Sequence, residues 1–164
     1  MKALVIYDSF FGNTEQIAQA IGSALGSETD VEVLRVGDVK PEQLTGLNLL
    51  VVGSPTRGFR PTPAIVNLLG GLPANGLRGV KTAAFDTRMS FDGIDQPILR
   101  FLARLLPARY AAKPISAALK RKGGELVVPP EGFWVNDSEG PLKEGELERA
   151  ADWASQIMAA QQSA

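Results

Sequence analysis

The chain contains no cysteine and no histidine. Without thiols it has neither disulfides nor a cysteine nucleophile. Without imidazole it lacks the general base of Ser-His-Asp hydrolysis and the usual zinc ligand. An excess of charge of one sign is also missing. Lys and Arg number 17 against 18 Asp and Glu, a formal net charge of −1, so no overall field points to nucleic acid or to a membrane surface. Long hydrophobic runs are absent too. The start "MKALVIYDS" turns polar too soon for a signal peptide, and no apolar stretch approaches membrane-spanning length, so the cytoplasm is the expected location. What remains is a chain of 164 residues, 45% hydrophobic, long enough for a substantial core and expected to form one domain over 1–164.

What is present is a strand-then-helix rhythm. "KALVIY" (2–7) is a continuous apolar run of strand length, as expected for a strand buried on both faces. Ile17, Ile21 and Leu25 then recur at helical spacing from Thr14 onward, with Gly26 as the stop. "VEVLRV" (31–36) alternates in the manner of an edge strand, "KPEQL" suggests a short helical turn, and "NLLVVGS" (48–54) is a third strand. After the Pro- and Gly-rich loop "PTRGFRPTP", Pro63 starts a helix carrying Ile65, Val66, Leu68 and Leu69. "VKTAAFD" (80–86) reads as the fourth strand and "GELVV" (124–128) as the fifth, with "GFWV" beyond Pro129 and Pro130 as a candidate extension. A last helix carries Leu147, Ala150, Ala151, Ala154, Ile157 and Met158. This alternation predicts an α/β fold with a parallel sheet.

Open parallel sheets bind ligands beyond the carboxyl ends of their strands. The candidate loops are therefore 8–14, 54–63 and 86–96. The first joins a strand directly to a helix in "LVIYDSFFGNTEQIAQAIG", and an anion placed there meets unpartnered backbone N–H groups and the positive end of the helix dipole. It is not a P-loop, since it has no Lys and one Gly, and it lacks the G-x-G-x-x-G dinucleotide fingerprint. Nor is the chain a response-regulator receiver. Ser54 and Pro55 stand where the third strand would end in Asp, and Pro129 and Pro130 stand where a Lys would follow the fifth. Two hydroxyls, an amide and free N–H groups without a cation suit one phosphate monoester. Read without a ligand, the same stretch is a tight turn with Thr14 as helix cap.

The residues "YDSFFGNTEQIA" resemble the phosphate loop of flavodoxins, which bind FMN: Ser9, Gly12 and Thr14 match S/T-x-T-G-x-T, and Phe11 departs from it. The resemblance extends along essentially the whole chain. It implies a doubly wound, five-stranded parallel sheet of order 2-1-3-4-5, with FMN as cofactor and Ser9, Phe10, Phe11, Gly12, Asn13 and Thr14 around its phosphate. "PTRG" resembles the family's ring-contacting segment, with Thr56 and Gly58 kept and Arg57 in the tryptophan position. Pro55, Thr56, Arg57 and Gly58 would then flank the flavin, the planar guanidinium standing in for an aromatic ring, with Phe59 as an alternative stacking residue. In the family the glycine carbonyl can turn toward flavin N5 when that atom is protonated. The rival reading of Arg57 and Arg60 is two solvated loop arginines. In the third loop the resemblance assigns Asp86 and Thr87 to the pyrimidine edge, Arg88 as a nearby cation and Phe91 to the ring's other face, whereas Asp92 and Asp95 read as turn residues. "AAKPISAALKRKGG" is similar to the family's crossover helix. "PILRFLARLL" (97–106) would be an added helical segment before it.

The function implied is an FMN-binding electron carrier between a reductase and an electron acceptor, with no catalytic residue of its own, no metal, no nucleic acid, no membrane insertion and a monomeric state. The alternative on the same scaffold is an NAD(P)H-dependent FMN or quinone reductase, and an apo interaction module is a third reading. Flavodoxins are typically strongly acidic; this chain is near neutral, so docking is expected to lean less on long-range attraction.

Overall fold

The structure is a computed structural model and describes residues 1–26, 30–89, 96–98, 101 and 110–163. The chain forms, in order, β1 (Lys2–Tyr7), α1 (Asn13–Ala24), β2 (Asp30–Arg35), two short 3-10 turns at Val36–Asp38 and Pro41–Leu44, β3 (Leu49–Pro55), α2 (Pro63–Gly71) and β4 (Lys81–Met89). There follow α3 (Ala112–Arg121), β5 (Glu125–Leu126), β6 (Glu131–Val135) and α4 (Glu146–Gln162). The expected strand order is found: β2-β1-β3-β4-β5, all neighbours parallel, with β6 also paired to β4.

Each strand's side chains alternate between two apolar layers. On one face Ala3, Val5, Leu49, Val51 and Phe85 meet Ile17 and Ile21 of α1 and Trp153 and Ile157 of α4. On the other, Leu4, Ile6, Leu50, Val52 and Ala84 meet Ile65 and Leu69 of α2 and Ile115 and Leu119 of α3. β2, at the sheet's edge, is only half-buried along its length, which explains its alternating sequence. Phe85, Phe133 and Trp153 pack edge to face with centroids 6.1–6.2 Å apart. Phe85 lies so close over β3 that a Cβ on Gly53 would stand 2.0 Å from its ring, so glycine there is a packing requirement.

Two expectations need correction. The fifth strand is not continuous over 124–128: β5 covers Glu125–Leu126, and the "GFWV" segment forms a separate β6. Pro129 and Pro130 lack N–H groups and interrupt the ladder between them. The long β4 accepts both segments, its Lys81 and Thr82 against β5 and its Phe85 to Met89 against β6. The second correction is that β4 continues past Asp86 to Met89, so Thr87 and Arg88 are strand residues too and the third loop begins after them. The 97–106 segment lies largely outside the described residues. Of it, Ile98 and Phe101 are exposed. No helix of the described residues is long and apolar enough to cross a membrane.

Candidate functional site

β1 pairs with β2 on one side and β3 on the other, so the connections leaving β1 and β3 diverge to opposite faces of the sheet. At their carboxyl ends lies a cleft of about 360 Å³, toward the lower end of the range for small-molecule sites. Ser9, Phe10, Phe11, Asn13 and Thr14 line it from the first loop, and Pro55, Thr56, Arg57 and Gly58 from the second. Thr87 and Met89 of β4 and Val135 and Ser138 after β6 complete it. Among the described residues no carboxylate lines it, and Arg57 is the one charged lining residue.

The first loop is tightly braced. Asp8 Oδ1 accepts the Ser9 N–H at 2.9 Å, and Ser9 Oγ accepts the Gly12 N–H at 3.0 Å. Arg35, at the end of β2 and in register with Tyr7, donates from Nη2 to the Ser9 carbonyl at 2.6 Å and stands 3.5 Å from Asp8 Oδ1. Gly12 is the cap residue of α1 at φ 87°, a conformation that disfavours other residues, and supplies no side-chain cap. The first helical hydrogen bond runs from Gln16 N–H to the Gly12 carbonyl (3.1 Å), so the N–H groups of Asn13, Thr14 and Glu15 precede the helical ladder. Thr14 is buried, and its hydroxyl lies 2.7 Å from that of Thr87, tying the loop to β4. Tyr7 Oη donates to Glu15 Oε1 at 3.1 Å; burial, then this carboxylate, raises the phenol pKa.

The second loop is shaped from below. Buried Ser54 accepts the Thr62 N–H and donates to the Pro55 carbonyl, both at 2.9 Å. Thr56 donates its N–H to Thr87 O (2.9 Å) while its hydroxyl accepts the Ala111 N–H (3.0 Å). Beyond it, Arg57 and Arg60 exchange backbone hydrogen bonds at 2.9 and 3.0 Å around Gly58 (φ 53°) and Phe59 (φ 64°). Positive φ at both central positions is the I′ hairpin turn, which favours Gly and Asn; a residue such as Phe in that region costs ~1–2 kcal/mol. The Arg57 guanidinium lies 4.8 Å from the Phe10 ring centroid and 5.8 Å from that of Phe11, joining the two loops across the cleft.

Strand alternation separates the remaining predicted residues. Thr87 faces the cleft, while its neighbours Asp86 and Arg88 do not line it. Asp86 is fully buried, bound by Arg88 through Nε (2.6 Å) and Nη2 (2.8 Å) and by the Ala112 N–H (2.8 Å), which places its carboxylate at the start of α3. Burial pushes its pKa up, against the pull of Arg88. Arg88 stacks 3.7 Å from the Tyr110 ring centroid and passes so close to Gly132 that a Cβ there would meet it at 2.0 Å. Gly12 and exposed Phe59 adjoin the cleft without lining it, and Phe91 lies outside the described residues. Sequence reasoning missed Arg35, Met89, Val135 and Ser138. Only Arg35 had a signal, its place at the end of the strand beside β1. Among the described residues no group of His, Cys, Asp or Glu could hold a metal.

The flavodoxin family model matches residues 5–85. Among solved structures, a flavodoxin from the domain Archaea is 23% identical, with 99% of each chain covered and a TM-score of 0.73. Flavodoxin 2 from Bacillus cereus is 22% identical, with 97% of this chain and 99% of that one covered and a TM-score of 0.74. Rubredoxin oxygen:oxidoreductase from Desulfovibrio gigas is 18% identical with a TM-score of 0.72, and this chain covers 36% of it, so the same fold also occurs there as part of a longer chain.

Proposed function

We propose that this chain, whose residues 5–85 match the flavodoxin family model, is a flavodoxin that works as an electron carrier on FMN, the cofactor flavodoxins bind, between a reductase and an acceptor protein. The observation that carries this reading is the start of α1: three N–H groups ahead of the helical ladder, beside the Ser9 and Thr14 hydroxyls, in a cleft that no carboxylate of the described residues lines. These groups fit a phosphate monoester. Ser9 Oγ already accepts from Gly12, which leaves its own proton to donate, and the Thr14–Thr87 pair needs only one of its two protons for itself. Gly12 has open space where a side chain would stand, so the loop leaves room on that side.

Bound FMN supplies one- and two-electron transfer; the protein holds the cofactor and sets its potentials. In this proposal 9–14 binds the phosphate, while Pro55, Thr56, Arg57 and Gly58 flank the ring system. Gly58, at a positive φ in an exposed turn, gives the local backbone freedom to present its carbonyl. Arg57 shifts the potentials through its charge. No side chain here acts as a proton-transfer catalyst.

Arg57 and Arg60, which pair with no carboxylate among the described residues, also support a second reading, an NAD(P)H-dependent reductase, because each can meet a pyridine-nucleotide phosphate. An anaerobic reductive titration of the FMN-loaded protein, followed by steady-state assays with NADH and NADPH, separates the two. A carrier takes up electrons from a reductant or reductase and shows no sustained NAD(P)H oxidation alone. Sustained turnover with either nucleotide assigns the reductase.

A further inference from the structure

Phe59 stands at a strained position, held there by a turn that two backbone hydrogen bonds close. It occupies the left-handed region in a turn that favours Gly or Asn, and its side chain is 51% exposed. Residues held in such conformations concentrate at functional sites. The ring does not line the cleft; it projects from the turn that borders it. Arg57 and Arg60 close that same turn through paired backbone hydrogen bonds, and both are exposed. Among the described residues no carboxylate pairs with either. Phe10, Phe11 and Met89 add further exposed apolar surface on the cleft walls. The rim is not uniformly basic, since exposed Asp137 and Glu139 flank the cleft residue Ser138. With a net charge of −1 overall, the sign of the field at the 57–60 turn is set locally.

We propose that the 57–60 turn is the docking knob for a redox partner of acidic surface: Phe59 enters an apolar socket on that partner, and Arg57 and Arg60 meet carboxylates around it. The inference rests on the electron-carrier reading and adds the partner's chemistry to it. An aromatic ring between two arginines has the composition of an interface anchor, and unpaired arginines favour a surface of opposite charge. This reverses the charge relation expected for the typical, strongly acidic flavodoxin.

The test uses the FMN-loaded protein, after FMN binding has been measured by fluorescence quenching. Failure to bind FMN overturns the carrier reading itself, whereas the steps below address only the docking knob. The fully reduced protein is oxidised in stopped flow by hexacyanoferrate(III), a trianion, or by hexaammineruthenium(III), a trication, each taking one electron. Arg60→Glu should slow the trianion about 3- to 10-fold at low ionic strength and speed the trication, both differences collapsing once the Debye length falls to ~3 Å in 1 M salt. In a second assay, a reduced acidic ferredoxin donates electrons to the oxidised protein at saturating FMN. Phe59→Asn and Arg60→Glu should each slow this exchange several-fold, and Phe59→Asn should raise the unfolding midpoint by ~2–4 °C as the turn strain is relieved. Unchanged rates in Arg60→Glu, an unchanged ferredoxin rate in Phe59→Asn, or a lowered midpoint in Phe59→Asn would overturn the proposal.

Discussion

The 9–14 loop and the 55–60 loop line the same cleft but are held differently. In the first, Ser9, Asn13 and Thr14 are buried, the Ser9 backbone is held by the Asp8 and Arg35 side chains, and the Thr14 hydroxyl is held by that of Thr87 on β4. The second is hydrogen-bonded to the fold at its base, through Ser54 and Thr56, meets the first loop through the Arg57 guanidinium over Phe10, and has its tip exposed at positive φ. A preformed cradle of N–H groups suits a group whose charge does not change during function, since little reorganisation accompanies binding. An exposed turn closed by two arginines suits the part of a cofactor whose charge and protonation change. Under the proposed function the cradle serves affinity, and the turn serves potential and partner contact.

Substitutions can break that division, beginning with the Asp86–Arg88 pair, whose carboxylate accepts the Ala112 N–H next to the Ala111 N–H that Thr56 accepts. Arg88→Met leaves the Asp86 carboxylate buried without its cation, and denaturant unfolding at neutral pH should show a loss of ~3–5 kcal/mol. Burial raises the folded-state pKa of Asp86 above the unfolded value, so the folded protein binds the proton more tightly and stability falls as pH rises between the two. Without Arg88 that folded-state value climbs further. The deficit should therefore be greatest above the window and shrink as pH falls toward the ordinary carboxylate range. A pH-independent deficit would remove Asp86 ionisation from the account.

Next in size is Gly12→Asp, which adds a negative charge and a side chain at φ 87°; FMN should bind at least ~100-fold more weakly, or ~2.7 kcal/mol. Arg35→Gln removes a charged donor from the Ser9 carbonyl, and a loss of ~1.5–3 kcal/mol in FMN affinity is expected by fluorescence titration. Neither change should alter the potentials as strongly as it alters affinity.

Arg57→Gln should do the opposite, with a small effect on affinity and a lowered second one-electron potential, because a cation favours the more negative, fully reduced state. A unit charge at ~6 Å in an effective dielectric near 20 gives ~2–3 kcal/mol before screening, and Arg57 is exposed, so the measured shift should be well below that. Redox potentiometry reads it directly, and an unchanged or raised potential would separate Arg57 from the ring. The smallest effect is expected from Phe10→Leu, which removes a cation–π contact worth ~0.5–1 kcal/mol between the loops. FMN titration should show only a few-fold change.

The division between the loops also marks where the sequence could be read. "LVIYDSFFGNT" announces its strand, turn and helix start because apolar run, glycine and capping polar groups are all local, and "PTRG" likewise shows a loop. Arg35 was hidden because its partner Ser9 is distant in sequence and the contact depends on the register of β2 against β1. A strand ending at Asp86 leaves Thr87 and Arg88 in the loop, because their polarity outweighs strand propensity. The place of Asp86 and Arg88 inside β4 becomes intelligible only with the Ala112 N–H, the Tyr110 ring and the close approach at Gly132. The break at Pro129 and Pro130 was visible, but that both halves pair with one long β4 was not. Phe59 gave no warning of its backbone state, since turn chemistry would place Gly or Asn there.

The central claim is that the start of α1 is a phosphate cradle for the cofactor. The measurement that tests it most directly is the ratio of dissociation constants of riboflavin and FMN for the cofactor-free protein, taken by flavin fluorescence in one buffer. The two ligands share the ring system and differ in the phosphate. The account predicts FMN tighter by ~100-fold or more, with the ratio falling toward one in Gly12→Asp. Equal affinity of the unmodified protein for both flavins would contradict it.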